Sequence, residues 1–101
     1  MNNPTDITLA ADHLQLSPRT LERLERLQQF ARQNQGRFSQ LSRREKEILS
    51  LICRDFKNED IARLLFISVH TVRTHRNNIW RTLRISSVVE AMRWAQAFDL
   101  V

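Results

Sequence analysis

The chain has 101 residues, 42% of them apolar, with a formal charge of +5, one cysteine and one glycine. That is room for one small domain and an appendage; it excludes a disulfide framework, a cysteine-rich zinc site and a glycine-rich phosphate loop. The basic balance favours a polyanionic partner. From Met1 to Gln40 five Arg face four acids, whereas from Ile61 to Phe98 six basic residues face one acid, Glu90. The excess therefore sits in the C-terminal half. Arg outnumbers Lys 14 to 2, and its planar fork matches phosphate and guanine edges. No apolar run approaches the roughly 18 residues of a membrane span. The start, MNNPTDITLAADH, lacks the basic-then-apolar order of a signal peptide. A cytoplasmic protein with no membrane contact is expected. A core this small would gain from dimerisation.

Residues 1–16 carry little pattern. Ile7, Leu9, Leu14 and Leu16 offer a short helix, while Pro4 and two Asn favour a frayed start. Ser17-Pro18 then opens a helix, Ser as N-cap and Pro at the first helical position. Leu21, Leu24, Leu27, Phe30 and Ala31 follow at spacings of three and four. Glu22 and Arg26 are placed to pair across a turn, and Gly36 is expected to end the helix in a left-handed conformation.

Ser42 and Glu45 spell a capping box for a helix to about Arg54, with Ile48, Leu51 and Ile52 inward. Asn58 is the next expected N-cap, followed by Glu59 and Asp60 at the positive end of the helix dipole. Ile61, Ala62 and Leu65 face inward, and Ala62 stands where a brace helix and a reading helix would come closest. Ser68 caps that second helix, with Ile67 and Val72 as a hydrophobic staple. Ser87 and Glu90 open a last helix, with Val88, Met92, Ala95 and Phe98 along one stripe, Ala91 beside them and Trp94 to the side. No alternating pattern supports a sheet, so the fold class is all-α.

Turned at about 100° per residue, the helix from Val69 to Arg84 puts Val69, Val72, Ile79 and Leu83 on one side. His70, Arg73, Thr74, Asn77, Arg81 and Arg84 take the other, without an acid. Arg suits guanine and Asn suits adenine, while Thr offers a methyl and a hydroxyl. The first three turns are read as base contacts through His70, Arg73, Thr74 and Asn77, and Arg81 and Arg84 as phosphate contacts. Thr71, His75 and Asn78 lie on the flank, within reach of the backbone. His75 either donates to a phosphate or packs as a satisfied histidine. Arg76 falls on the apolar side, where periodicity assigns it no role beyond passing its stem across the core.

These residues resemble the LuxR-type DNA-binding domain of the GerE, NarL and FixJ group. The likeness covers about Phe38 to Phe98. It rests on LSRREKEILSLI from Leu41, NEDIARLLFIS from Asn58 and HTVRTHRNNI from His70. It implies four helices, the third in the DNA major groove and the fourth a dimer contact, here Val88, Met92, Trp94, Ala95 and Phe98. Residues 1–37 are then an extension carrying an extra helix, and 38–101 the domain. Two departures stand out. Asp55 occupies the place of a usual Gly, which Asp tolerates better than most residues. Val88 occupies the place of a frequent Arg or Asn.

The expected function is a sequence-specific regulator binding double-stranded DNA as a homodimer. The rival is an interaction module that pairs with another regulator and binds DNA weakly or not at all. The helix at 18–34 either covers the domain or serves as a second dimer or docking element. Forty upstream residues are too few for a receiver or ligand-binding domain. No catalytic, metal or cofactor site is expected: His70 and His75 lie on different faces of one helix, and Cys53 reads as a small core residue.

Overall fold

The structure, a computed structural model, describes residues 16–101. The expectation of a short helix before Leu16 lies outside them. Five helices follow and, among the described residues, no strand: α1 Pro18–Phe38, α2 Arg43–Cys53, α3 Asn58–Leu65, α4 Val69–Leu83 and α5 Val88–Ala97. The all-α expectation holds.

Four helix starts are set by serine side chains. Ser17, Ser42, Ser68 and Ser87 each accept a backbone N–H three residues on, satisfying one free donor of the first turn. Ser42 and Glu45 complete the reciprocal box at 3.0 Å in both directions. At α5 the return bond shifts by one residue: Glu90 accepts from the Ser86 N–H at 2.6 Å. This bond draws the exposed Glu90 carboxyl below its usual pKa. Asn58 is not a cap. Lys57 holds that position without a side-chain bond, and Asn58 is the first helical residue, its side chain committed elsewhere.

The helix opened by Ser42 ends at Cys53, close to expectation, but the first helix does not end as expected. Gly36 lies inside α1, which continues to Phe38, and a Cβ there would meet nothing. Left-handed backbone occurs instead at Asp55 (φ 68°), Phe66 (58°), Arg84 (56°) and Asp99 (58°). Each is followed by an apolar residue whose N–H returns to a carbonyl five residues back: Phe56 to Leu51, Ile67 to Ala62, Ile85 to Trp80 and Leu100 to Ala95. These are Schellman-type ends; Ile67, Ile85 and Leu100 also pack back onto the core, while Phe56 stays exposed. Asp55 thus takes up the left-handed role of the missing glycine. Glu22 and Arg26, expected to pair, make no ion pair among the described residues.

One apolar core joins the helices. Ile48 and Leu49 of α2, Ile61 of α3, Val72, Ile79 and Leu83 of α4 are essentially inaccessible, each worth about 1.5–3 kcal/mol of burial. Ala62 is buried at the contact of α3 with α4. On α5 the buried set is Ala91, Trp94 and Ala95, while Val88 is exposed. The inward stripe is therefore rotated from the expected one, because the Trp94 ring takes the core position.

α1 packs mainly on α5. Phe30 stands edge-on to Trp94 at 5.0 Å between centroids, and Phe38 stacks on Phe98 at 3.9 Å. Lys46 lies over the Phe38 ring and Arg93 over the Phe30 ring, at 4.8 and 4.4 Å, each a cation on a π face. Phe38 belongs to the core, so the expected boundary after residue 37 falls in the last turn of α1. The chain end is tied back too: Ser50 Oγ and Arg54 Nη2 both donate to the Leu100 carbonyl, at 2.9 and 3.0 Å.

Candidate nucleic-acid interface

α4 is buried on one side and open on the other. Val72, Ile79 and Leu83 anchor it, and His70, Arg73, Thr74, Asn77 and Arg81 are exposed. The helix contains no acid. Its free N-terminal N–H groups and aligned peptide dipoles favour an anion near Ser68. Arg73, Thr74 and Asn77 share one outward face, as their spacing requires.

Local bonding narrows what each side chain offers. Thr74 Oγ1 donates to the His70 carbonyl at 3.1 Å, so its hydrogen is used and its methyl and lone pairs remain. Arg81 Nη1 donates to Asn78 Oδ1 at 3.3 Å, which leaves the Asn78 amide N–H groups outward. Thr71 Oγ1 lies 2.9 Å from the cap hydroxyl of Ser68. Among the described residues, the side chains of His70, Arg73 and Asn77 have no hydrogen-bond partner. Arg84 is exposed but stands beyond the helix, at its left-handed end. The expected helix overran by that residue because Arg84 continues the basic stripe in sequence.

Two neighbours on α4 turn inward at its flanks. His75 is half-buried, and its Nδ1 faces Glu45 Oε2 of α2 at 3.6 Å. Arg76, also half-buried, donates from Nη1 to Asn58 Oδ1 of α3 at 3.3 Å, and its guanidinium lies 5.1 Å from the Trp80 ring centre. Sequence reasoning missed Asn58 as Arg76's partner. An arginine at an apolar angle was the signal that a polar acceptor stood opposite. Cys53 is buried and its thiol is pushed up by desolvation, with Arg76 opposing, which suits a core residue and not a nucleophile.

The residues expected at a dimer contact separate. Trp94 and Ala95 are buried inside this chain, and Phe98 stacks on Phe38. Val88 and Met92 instead line an open apolar hollow of about 400 Å³ with Val89, Arg93 and Gln96. Trp94 is not an exposed aromatic, which removes one motive for the interaction-module rival. Among the described residues no helix is long and apolar enough to cross a membrane.

Two helices joined by a left-handed turn, the second of them free of acids, define a helix-turn-helix protein. Residues 39–95 match the GerE family, described as bacterial regulatory proteins of the luxR family, and the chain belongs to that family. It is 45% identical over 58 residues to the oxygen regulatory protein NreC of Staphylococcus epidermidis, covering 57% of this chain and 27% of that one. It is 39% identical over 64 residues to the CsgBAC operon transcriptional regulatory protein of Escherichia coli, covering 63% and 30%. A transcriptional regulatory protein of Bacillus subtilis, YhcZ, is 38% identical over 64 residues. The chain thus spans less than a third of the length of these curated relatives. No solved structure matches significantly.

Proposed function

We propose that this protein is a sequence-specific regulator that binds double-stranded DNA by laying α4 in the major groove. The observation that carries this reading is the open face of α4, which holds His70, Arg73, Thr74 and Asn77 while Val72, Ile79 and Leu83 bury the opposite side. Arg73 and Asn77 supply the two side chains best able to make paired bonds to guanine and adenine. Thr74 adds a methyl and an acceptor. Thr71, Asn78, Arg81 and Arg84 hold the register against phosphates. Residues 38–101 act as the reading domain, with 1–37 as its extension.

The protein acts as a homodimer on two half-sites. The outer face of α5, with Val88 and Val89 exposed and Met92 half-buried, supports that contact, since α1 already covers Trp94. In this arrangement α1 is first a packing helix, and its outer side is free for a partner. Regulators of two half-sites gain specificity from the spacing that the dimer sets.

Arg73→Ala is the direct test. On a selected duplex it should cost about 1–3 kcal/mol, with a smaller loss on random duplex. Equal losses on both would remove Arg73 as a base reader. No preference for any sequence by the unaltered protein at low salt would favour the interaction-module reading.

A further inference from the structure

The buried face of α4 explains what holds the helix but not what fixes its rotation. Val72, Ile79 and Leu83 are aliphatic and wholly buried. Dispersion contacts are non-directional, and aliphatic side chains repack at small cost when a helix turns slightly. Yet a rotation of α4 moves Arg73, Thr74 and Asn77 sideways in the groove. Base recognition depends on donor and acceptor geometry, so it needs a directional constraint.

His75 and Arg76 flank the buried face. At about 100° per residue, His75 lies roughly 60° to one side of its centre and Arg76 roughly 40° to the other. They reach different helices. His75 Nδ1 faces Glu45 Oε2 on α2 at 3.6 Å, and Arg76 Nη1 bonds Asn58 Oδ1 on α3 at 3.3 Å. Both anchors are themselves fixed. Glu45 Oε1 is held by the Ser42 N–H at 3.0 Å in the capping box, and Asn58 opens α3 in its first turn.

Two further observations argue that these are specific ties and not incidental contacts. Arg76 borders an open polar recess of about 350 Å³, lined also by Asp55, Glu59 and Val88. Packing therefore does not force the guanidinium inward; the Asn58 oxygen and the Trp80 face direct it. His75 Nδ1 is, among the described residues, the buried side-chain polar atom without a hydrogen-bond partner. A buried polar atom is costly unless satisfied, and Glu45 is the acceptor placed to satisfy it after a shift of a few tenths of an ångström.

We infer that His75 and Arg76 are positioning residues: paired stays, to Glu45 and to Asn58, that set the rotation of the reading helix and so its sequence specificity. This rests on the reading of α4 as the base-contacting helix. It assigns Arg76 an intramolecular role and makes His75 an internal partner, not a phosphate donor.

The test uses the full chain with Glu45→Gln, Asn58→Ala, Arg76→Met and the double variant Glu45→Gln/Arg76→Met. Gln keeps the acceptor for the Ser42 N–H, so the cap survives while the carboxylate facing His75 is lost. Two readouts are taken where all variants are folded. Residual dipolar couplings of α4 amides report its orientation against α2 and α3 without DNA. Affinities for a selected duplex and a random one, over a range of salt, report specificity.

Each single change should tilt or turn α4 and lower the specific-to-random ratio about three- to fivefold, and the double change more than about tenfold, the scale of one lost base contact. Random-duplex affinity and salt slope should stay put. Arg76→Lys, which can still donate to Asn58, should restore most of the ratio. Unchanged α4 orientation in the double variant would overturn the proposal, whatever DNA does. So would a fall in random-duplex affinity with a salt slope smaller by about one for Arg76→Met, the mark of a direct phosphate contact. If the unaltered protein prefers no sequence but the couplings move, the base-reading function fails while the stays remain.

Discussion

Two of the helix junctions in this molecule are built on different principles. Between α3 and α4 the contact is close and aliphatic: Ile61, Ala62, Val72 and Ile79 are almost wholly buried. Between α1 and α5 it is aromatic and open. Phe30, Trp94, Phe38 and Phe98 meet as rings, with Phe30 and Phe98 only half-buried and Lys46 and Arg93 lying over ring faces. Close aliphatic packing suits a unit that must hold a fixed geometry. Rings at a half-exposed seam keep area and can still shift, which suits a cover. The first junction fixes α4; the second closes the face behind it.

The largest effect should come from breaking the first junction. Ile79→Ala opens a cavity at a fully buried site and should cost about 2–5 kcal/mol, read as a fall in the urea midpoint, with loss of all DNA binding near the new midpoint. Ala62→Leu should act similarly through overpacking, at about 1–3 kcal/mol. A loss below about 1 kcal/mol for Ile79→Ala would contradict the close-packed picture.

The second junction should be softer. Phe30→Ala removes the edge contact to Trp94 and should cost about 1.5–3 kcal/mol, measured by denaturant unfolding and Trp fluorescence. Specific DNA affinity in the folded protein should change little. If it falls as steeply as for an α4 core change, α1 is part of the reading unit and not its cover. The Trp94 emission should shift to the red as its ring is uncovered, and more strongly in a chain shortened to residues 37–101.

Smaller effects separate the helix ends. Gly36→Ala adds a methyl into open space within α1 and should stabilise by about 0.5–1 kcal/mol. Arg84→Gly relieves a left-handed residue and should raise stability by about 0.5–1 kcal/mol while weakening binding to every duplex alike. That opposite movement of melting temperature and affinity would distinguish a phosphate contact from a structural residue. Phe66→Gly relieves the same strain at an exposed site and should stabilise without the loss of affinity.

Acid should loosen the start of α5. The Glu90 carboxyl is held low by the Ser86 N–H. A depressed pKa contributes stability that is present above the unfolded value, near 4.3, and is lost as pH falls through the folded one. Amide protection factors at Glu90 and Ala91, taken against the unstructured exchange rate at each pH, should therefore fall below about pH 4, and Glu90→Gln should flatten that fall. Unchanged protection factors down to pH 2 would contradict the bond.

These contrasts also explain what could be read from the residues alone. Helix starts were legible because an N-cap is side-chain chemistry within three residues, as at Ser17, Ser42, Ser68 and Ser87. Helix ends were not. A left-handed residue is a backbone state, closed here by the N–H of the residue that follows it, so Asp55, Phe66, Arg84 and Asp99 serve without a glycine, while Gly36 stays helical. The outward stripe of α4 was legible because exposure follows the helical period. Arg76's partner was not, because Asn58 lies 18 residues earlier and local spacing predicted a cap there. On α5 the stripe was misplaced because Trp94 packs under α1, a contact that no single-helix pattern contains.

The central claim is that the exposed face of α4 reads sequence. Selection from a random duplex pool, carried out in parallel with the unaltered protein and with an Arg73→Ala, Asn77→Ala variant, tests it most directly. The expected result is a motif of two inverted half-sites for the first and a degraded or lost motif for the second, at equal salt. The same motif from both proteins, or none from the unaltered one, would contradict it.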